Sequence, residues 1–425
     1  MMVTNNKVGI TGMGIVSSIG EDVSSFCNAL MIGKSGIKIS AVQKEPKVSV
    51  NIAAELQNFS FLELLNRFQN VPEEKFINAK RLGRRAPFAI QASIISALEA
   101  WQSAQLFQSK IQSERIGLIV AGQNSTQNFQ YDLIQKFREN PEYLSPRYAL
   151  EFLETNQVGV LSELFGINGE GLVVGGASAT GNVGIIKGYQ LVHSGFVDVC
   201  VVIGTVADLS PMDIQGFINI GAMGGKKYIN QPEKACRPFD KQHEGFIYGQ
   251  ASACIILESL ASASKRDAPF LAEIKGGSIN LDGNSSSDPN KNGEVKAMLS
   301  ALNQAGLSAL EVDYLNTHGS SSALGDKTEA DAICDVFGSH TAALRLNATK
   351  GLTGHCLYSA GLVEAIATVI QMRQGFLHPN KNLEEPICND LKFCEAEAIN
   401  HRIDIAMSNS FGFGGINTSI VLKRD

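Results

Sequence analysis

Apolar, β-branched runs that end at glycine recur along the chain: KVGITGMGIVSSIG (7–20), IGLIVAGQNS (116–125), VVIGTVADLS (201–210) and SNSFGFGG (408–415). Such runs bounded by turn residues predict buried strands. Between them lie amphipathic segments of helical length, notably 86–104 (APFAIQASIISALEAWQSA) and 182–194. Strands alternating with helices predict an α/β protein with a mostly parallel sheet covered on both faces.

Two stretches resemble each other. GGASATGNVGIIKGYQLVHSG (175–195) and TGHCLYSAGLVEAIATVIQMRQG (353–375) are both glycine-rich turns leading into a helix. Each is followed by a strand-like run and a glycine turn, VDVCVVIGTVA (197–207) and IDIAMSNSFGFGG (403–415). The pattern predicts two similar halves, 1–261 and 262–425, meeting in the small, polar stretch Ser262–Asp267.

Length and composition narrow the class. At 425 residues the chain exceeds one ordinary domain, and 44% hydrophobic with 18% charged residues excludes disordered and collagen-like structure. Lys+Arg number 36 against 42 Asp+Glu, a formal charge of -6, so no basic excess is available for nucleic acid. The eight cysteines form no C-x-x-C pair, and several sit in apolar runs such as Val199–Val202. That argues against a zinc ribbon or a disulfide framework and for a reducing cytoplasm. The N-terminal stretch is too interrupted by glycine for a signal peptide, and no apolar run is long enough for a membrane span.

Reactive side chains beside glycine concentrate at Ser178 (GASATGNVG), His318 (NTHGSSSALGDKTE) and His355 (ATKGLTGHCLYSAG), with SNSFGFGGINTS as a fourth loop. Ser178 reads either as the N-cap of the helix that follows or as a nucleophile, although no G-x-S-x-G surrounds it. A lone histidine is usually structural, but two in matching glycine-rich turns could converge as neutral donors on one developing oxyanion. Metal binding is disfavoured because no third ligand is evident.

These residues carry a family resemblance. VGITGMGIVSSIG (8–20), RPFDKQHEGFIYGQ (237–250), LNTHGSSSALGDKTEA (315–330), TKGLTGHCLYSAG (349–361) and SNSFGFGGINTS (408–419), in this order, resemble the β-ketoacyl-acyl carrier protein synthases of the thiolase superfamily. The resemblance implies a thiolase-like five-layer αβαβα fold of two duplicated halves, a homodimer, and a site of one nucleophilic cysteine and two histidines. The histidines map to His318 and His355. The nucleophile's position holds Ser178, where condensing members carry cysteine. A thiol titrates near ~8.5 and lower at a helix N-terminus, giving a thiolate; a serine hydroxyl has no such route.

What survives is the decarboxylating half of the family reaction. Loss of CO2 from a malonyl thioester leaves an enolate, which needs two donors at its oxygen and a dry wall, and no covalent nucleophile. The chain therefore looks like the serine-bearing malonyl-acyl carrier protein decarboxylases of polyketide β-branching cassettes. The resemblance assigns Lys350 and Glu364 to brace the histidines, Phe413 to the apolar wall, and Ser320 and Ser322 to the phosphopantetheine arm. Asp326 and Glu329 match acids that shape the His318 loop, with helix capping as their plain reading. The arm comes with the acyl carrier protein, so no cofactor of the chain's own is implied. Carrier proteins are acidic, and Lys80, Arg81, Arg84 and Arg85 form the densest positive run, read either as a docking site or as a solvated helix face. Two other readings remain: a condensing synthase in which serine is an engineered replacement of cysteine, and a non-catalytic partner of the chain-length-factor kind, which usually loses the histidines too.

Overall fold

A computed structural model describes residues 6–40, 48 and 50–425; the first five residues of the N-terminal stretch read above lie outside this range. The elements used below are, in chain order, β1 (Val8–Ser17), α1 (Glu73–Gly83), α2 (Phe88–Ser103), β2 (Ile116–Ala121), α3 (Gln127–Glu139), β3 (Gly171–Val174), α4 (Thr180–His193), β4 (Val199–Gly204), β5 (Ala251–Ser259), β6 (Ala272–Leu281), α5 (Lys291–Ala305), β7 (Tyr314–Asn316), α6 (Ala323–Phe337), β8 (Arg345–Asn347), α7 (Ala360–Gln374), β9 (Lys392–Phe393), β10 (Ile405–Gly412) and β11 (Ile416–Arg424). The two helices predicted from pattern, 86–104 and 182–194, appear as α2 and α4.

Strand order repeats. The first half runs β3-β2-β4-β5-β1, the second β8-β7-β10-β11-β6 with β9 added beside β8. Strand for strand these are the same sheet twice, joined edge to edge where Val8–Ile10 pairs antiparallel with Ala272–Ile274. This is the duplicated thiolase-like architecture that the resemblance implied.

The sheet is mixed, which corrects the expectation of a mostly parallel one. β3, β2 and β4 are parallel, as are β9, β8, β7 and β10. β5 runs antiparallel to β4 and β1, and β11 to β10 and β6. The cause is visible at β10–β11, where Gly414 (φ 83°) and Gly415 (φ 70°) allow a tight hairpin. An apolar run does not encode its own direction, so pattern alone missed this.

Two helices, α4 and α7, lie side by side between the half-sheets. α7 is buried from Ala360 to Met372, the all-round apolar character of a core helix. One apolar cluster joins both helices to both half-sheets. α2 packs outside the first half-sheet, α5 and α6 outside the second. The result is five layers. No helix among the described residues is long and apolar enough to cross a membrane.

Candidate active site

Each reactive loop leaves the C-terminal end of a strand, the usual place for sites in such sheets. β3 passes into a single 3₁₀ turn, Ala177–Ala179, and then into α4. Ala177 adopts φ 49°, a left-handed conformation that turns the chain sharply at Ser178. The head of α4 has no side-chain cap hydrogen bond, so Ser178 is not an N-cap. Its Oγ instead lies 2.9 Å from Nε2 of His355.

His318 follows β7 and His355 precedes α7. The glycine beside each is required. A Cβ on Gly319 (φ 35°) would meet Cβ of Ala348 at 2.8 Å, and one on Gly354 (φ 65°) would meet the Ile247 carbonyl at 3.0 Å. The His355 backbone is clamped on both sides: its N–H donates to the Ile247 carbonyl (2.7 Å), and its carbonyl accepts from Gly249 (3.0 Å). The two imidazole rings stand edge to face, centroids 5.5 Å apart.

The hydrogen-bond network fixes both tautomers. The Leu357 amide donates to Nδ1 of His355 (3.1 Å), so that nitrogen is an acceptor and the ring proton sits on Nε2. The Lys350 ammonium lies 3.3 Å from Nδ1 of His318, which likewise leaves the proton on Nε2. The same ammonium donates to the His318 carbonyl and to Glu364, so its three protons have three acceptors. Glu364 thus acts on His318 only through Lys350. Burial and the Lys350 charge hold His355 well below the usual value of 6.5, and the same two causes with His355 beside it depress His318. Both rings are neutral N–H donors.

Two acids set the His318 loop. Glu329 accepts from the amides of His318 and Gly319 (2.8 Å each), while burial pushes its carboxyl up to about 7. Asp326 accepts from Ser321 (3.1 Å) and Phe239 (2.7 Å). Neither caps α6, whose N-cap has no side-chain bond, so loop support replaces the capping alternative.

Ser178, His318 and His355 share a cavity of about 540 Å³ with Ser320, Ser322 and Phe413. Ser320 and Ser322 hydroxyls lie 2.8 Å apart. The Phe413 ring is 39% exposed and tilts against Phe217, centroids 6.4 Å apart. Lys80, Arg81, Arg84 and Arg85 are exposed around the end of α1 and do not line this cavity. Arg81 pairs with Glu163 at the surface. Among the described residues no group of three or more His, Cys, Asp or Glu side chains is arranged to hold a metal ion.

Sequence reading missed other cavity residues, among them Gln123, Asp282 and Glu294. A Cβ on Gly175 would come within 2.2 Å of Gln123 Oε1, and Gly175 has no positive φ. That oxygen is the far end of a flexible side chain that could move aside, so Gly175 leaves it room without being required to, and the sequence carries no firm signal for Gln123. Glu294 is buried and burial raises it well above the usual carboxyl value; its Oε2 has no hydrogen-bond partner among the described residues.

Residues 5–263 match the family description "Beta-ketoacyl synthase, N-terminal domain", and residues 271–384 match "Beta-ketoacyl synthase, C-terminal domain". Among curated relatives, the polyketide biosynthesis malonyl-ACP decarboxylase PksF of Bacillus subtilis is 36% identical over 98% of this chain and 96% of its own. The 3-oxoacyl-acyl-carrier-protein synthase 2 of Coxiella burnetii is 32% identical, covering 98% of each. Of solved structures, the ishigamide ketosynthase/chain length factor superposes with a TM-score of 0.87 at 27% identity, covering 99% of this chain and 100% of its own. A β-ketoacyl synthase from Burkholderia phymatum gives a TM-score of 0.85 at 25% identity, with the same coverage.

Proposed function

The chain belongs to the β-ketoacyl synthase family, and from that premise we propose that it decarboxylates malonyl-acyl carrier protein to acetyl-acyl carrier protein in polyketide β-branching, without condensing. The observation that carries this reading is the pair of locked tautomers. Both His318 and His355 hold their ring proton on Nε2. Two neutral N–H donors can meet the thioester oxygen as it becomes an enolate oxygen, in a buried pocket where such bonds are strongest. The same lock disables the serine as a nucleophile. Nε2 of His355 already carries a proton, so it donates to Ser178 Oγ and cannot serve as its base.

In this account the phosphopantetheine arm arrives on the carrier protein and passes Ser320 and Ser322, whose hydroxyls can bond its amides. Phe413 closes the apolar side against water, so the departing carboxylate leaves poor solvation for a neutral product, CO2. Lys80, Arg81, Arg84 and Arg85 form the patch for the acidic carrier protein. The homodimer would cover the open edge of β3, which among the described residues pairs only with β2, and the exposed apolar face of α3 at Ile134 and Phe137. Eight unpaired cysteines fit a reducing cytoplasm.

The named activity of the B. subtilis relative supports the decarboxylase reading, whereas synthase relatives at 32% identity favour a condensing one. Intact-mass analysis of malonyl-loaded carrier protein after incubation with the enzyme tests the proposal: acetyl-carrier protein is expected, and unchanged malonyl-carrier protein would overturn it. Ser178→Cys separates the two readings, since a condensing enzyme regains full condensation and a decarboxylase gains little.

A further inference from the structure

A decarboxylase has a step that a condensing enzyme lacks. When the C2–C3 bond of the malonyl group breaks, its electron pair becomes the enolate, and with no acyl acceptor present that carbon must receive a proton. We propose that the Ser178 hydroxyl supplies it, an inference that rests on the decarboxylase reading above.

Three proton-bearing side chains of the same cluster, His318, His355 and Lys350, are already engaged. The Nε2–H groups of His318 and His355 are needed at the enolate oxygen, for which the His355 donor turns from Ser178 Oγ to the substrate, and a proton engaged at that oxygen cannot also reach C2. Lys350 is 1% exposed and its three protons are committed to His318 and Glu364. Ser178 differs from all three. Nε2 of His355 carries a proton, so the Ser178 hydrogen cannot point back at that ring, and among the described residues it has no other acceptor. It lines the cavity with that hydrogen free to reach a bound substrate.

The arrangement also steadies what remains. After transfer, the pair of the broken O–H bond stays on Oγ, where the His355 N–H and the N-terminus of α4 one turn away both favour negative charge. The new C2–H bond takes the enolate pair, and water then returns a proton to Oγ. Serine is thus suited where cysteine is not: it gives a proton to carbon without taking up an acyl group. The competing donor is Glu294, a buried carboxyl lining the same cavity with an unpartnered oxygen.

The test reads stereochemistry. Malonyl-carrier protein carrying one deuterium of defined configuration at C2, turned over in tritiated water, yields a chiral methyl group when a fixed donor protonates one face. Wild type and Ser178→Thr should give one configuration in excess. Ser178→Ala should still release CO2, within about tenfold of wild type, but give a nearly racemic methyl. A racemic methyl from wild type, an undiminished excess from Ser178→Ala, abolition of CO2 release in Ser178→Ala, or loss of the excess in Glu294→Gln would each overturn the inference. Failure of wild type to release CO2 sinks the decarboxylase reading itself, whereas CO2 release with a racemic product sinks only the proton-donor role.

Discussion

Gly181 and Gly361 touch where the two central helices begin: a Cβ on Gly181 would lie 2.8 Å from the Gly361 amide nitrogen, and one on Gly361 would lie 2.7 Å from that of Asn182. The same turn precedes both helices, with Ala177 at φ 49° and Leu357 at φ 50°. This contact between repeats brings Ser178, beside one turn, to the ring of His355, beside the other.

Gly181→Ala or Gly361→Ala should therefore do more than loosen packing. Neither neighbour is a flexible side chain that could move aside, so each substitution should cost about 1–3 kcal/mol of stability. Urea unfolding checks this, and a variant of wild-type stability would contradict the close-approach argument.

His318 and His355 should not titrate where ordinary histidines do. A histidine charges as pH falls through its pKa, and burial with the Lys350 charge sets both His318 and His355 well below 6.5. Both rings should stay neutral from pH 8 through 6.5 and charge only at more acidic values, while Glu329, pushed up to about 7 by burial, takes up its proton within that range. The linked stability has the same sign: below about 6.5 the unfolded chain takes up protons at these rings before the folded one does, so their contribution is full above that pH and declines beneath it. Ring nitrogen NMR shifts of His318 and His355 check this, and a midpoint near 6.5 for either ring would contradict the neutral-donor assignment.

Lys350→Met should separate stability from chemistry. It leaves the Glu364 carboxyl buried without its partner, at a cost of about 3–5 kcal/mol, and removes the donor that fixes the His318 tautomer. Adding Glu364→Leu should restore much of the stability while turnover stays about 10–100-fold down. Thermal unfolding and turnover of both variants check this; recovery of both together would argue against the tautomer lock.

Gln123 should limit what enters beside Ser178. An acyl chain passing its amide would strip that group of water without replacing its hydrogen bonds, at about 1–3 kcal/mol. In a Ser178→Cys background, self-acylation should favour acetyl over octanoyl thioesters, and Gln123→Ala should raise the octanoyl fraction about tenfold or more. An unchanged chain-length profile in the enzyme's intact mass would remove Gln123 from this role.

Much of this was legible in the sequence because fold and site share one signal. The repeat at 175–195 and 353–375 is the pair of central helices with their lead-in turns, and His318 and His355 stand beside glycines that positive φ and close approach require. Strand direction at β5 and β11 was not legible, since apolar runs look alike either way. Nor were the tautomer locks, because the Leu357 amide reaches His355 through backbone geometry that no residue type announces. Gln123 was hidden by its distance in sequence from Gly175, the residue that makes room for it.

The most direct measurement follows both proteins in one reaction, recording the intact masses of enzyme and malonyl-carrier protein for wild type and for His318→Ala/His355→Ala. The expected result is that wild type converts the carrier protein to its acetyl form while its own mass never changes, and that removing one donor costs about 10²–10³ in rate and removing both leaves no turnover. An acyl adduct on Ser178 during turnover, or undiminished conversion without the two rings, would contradict the account.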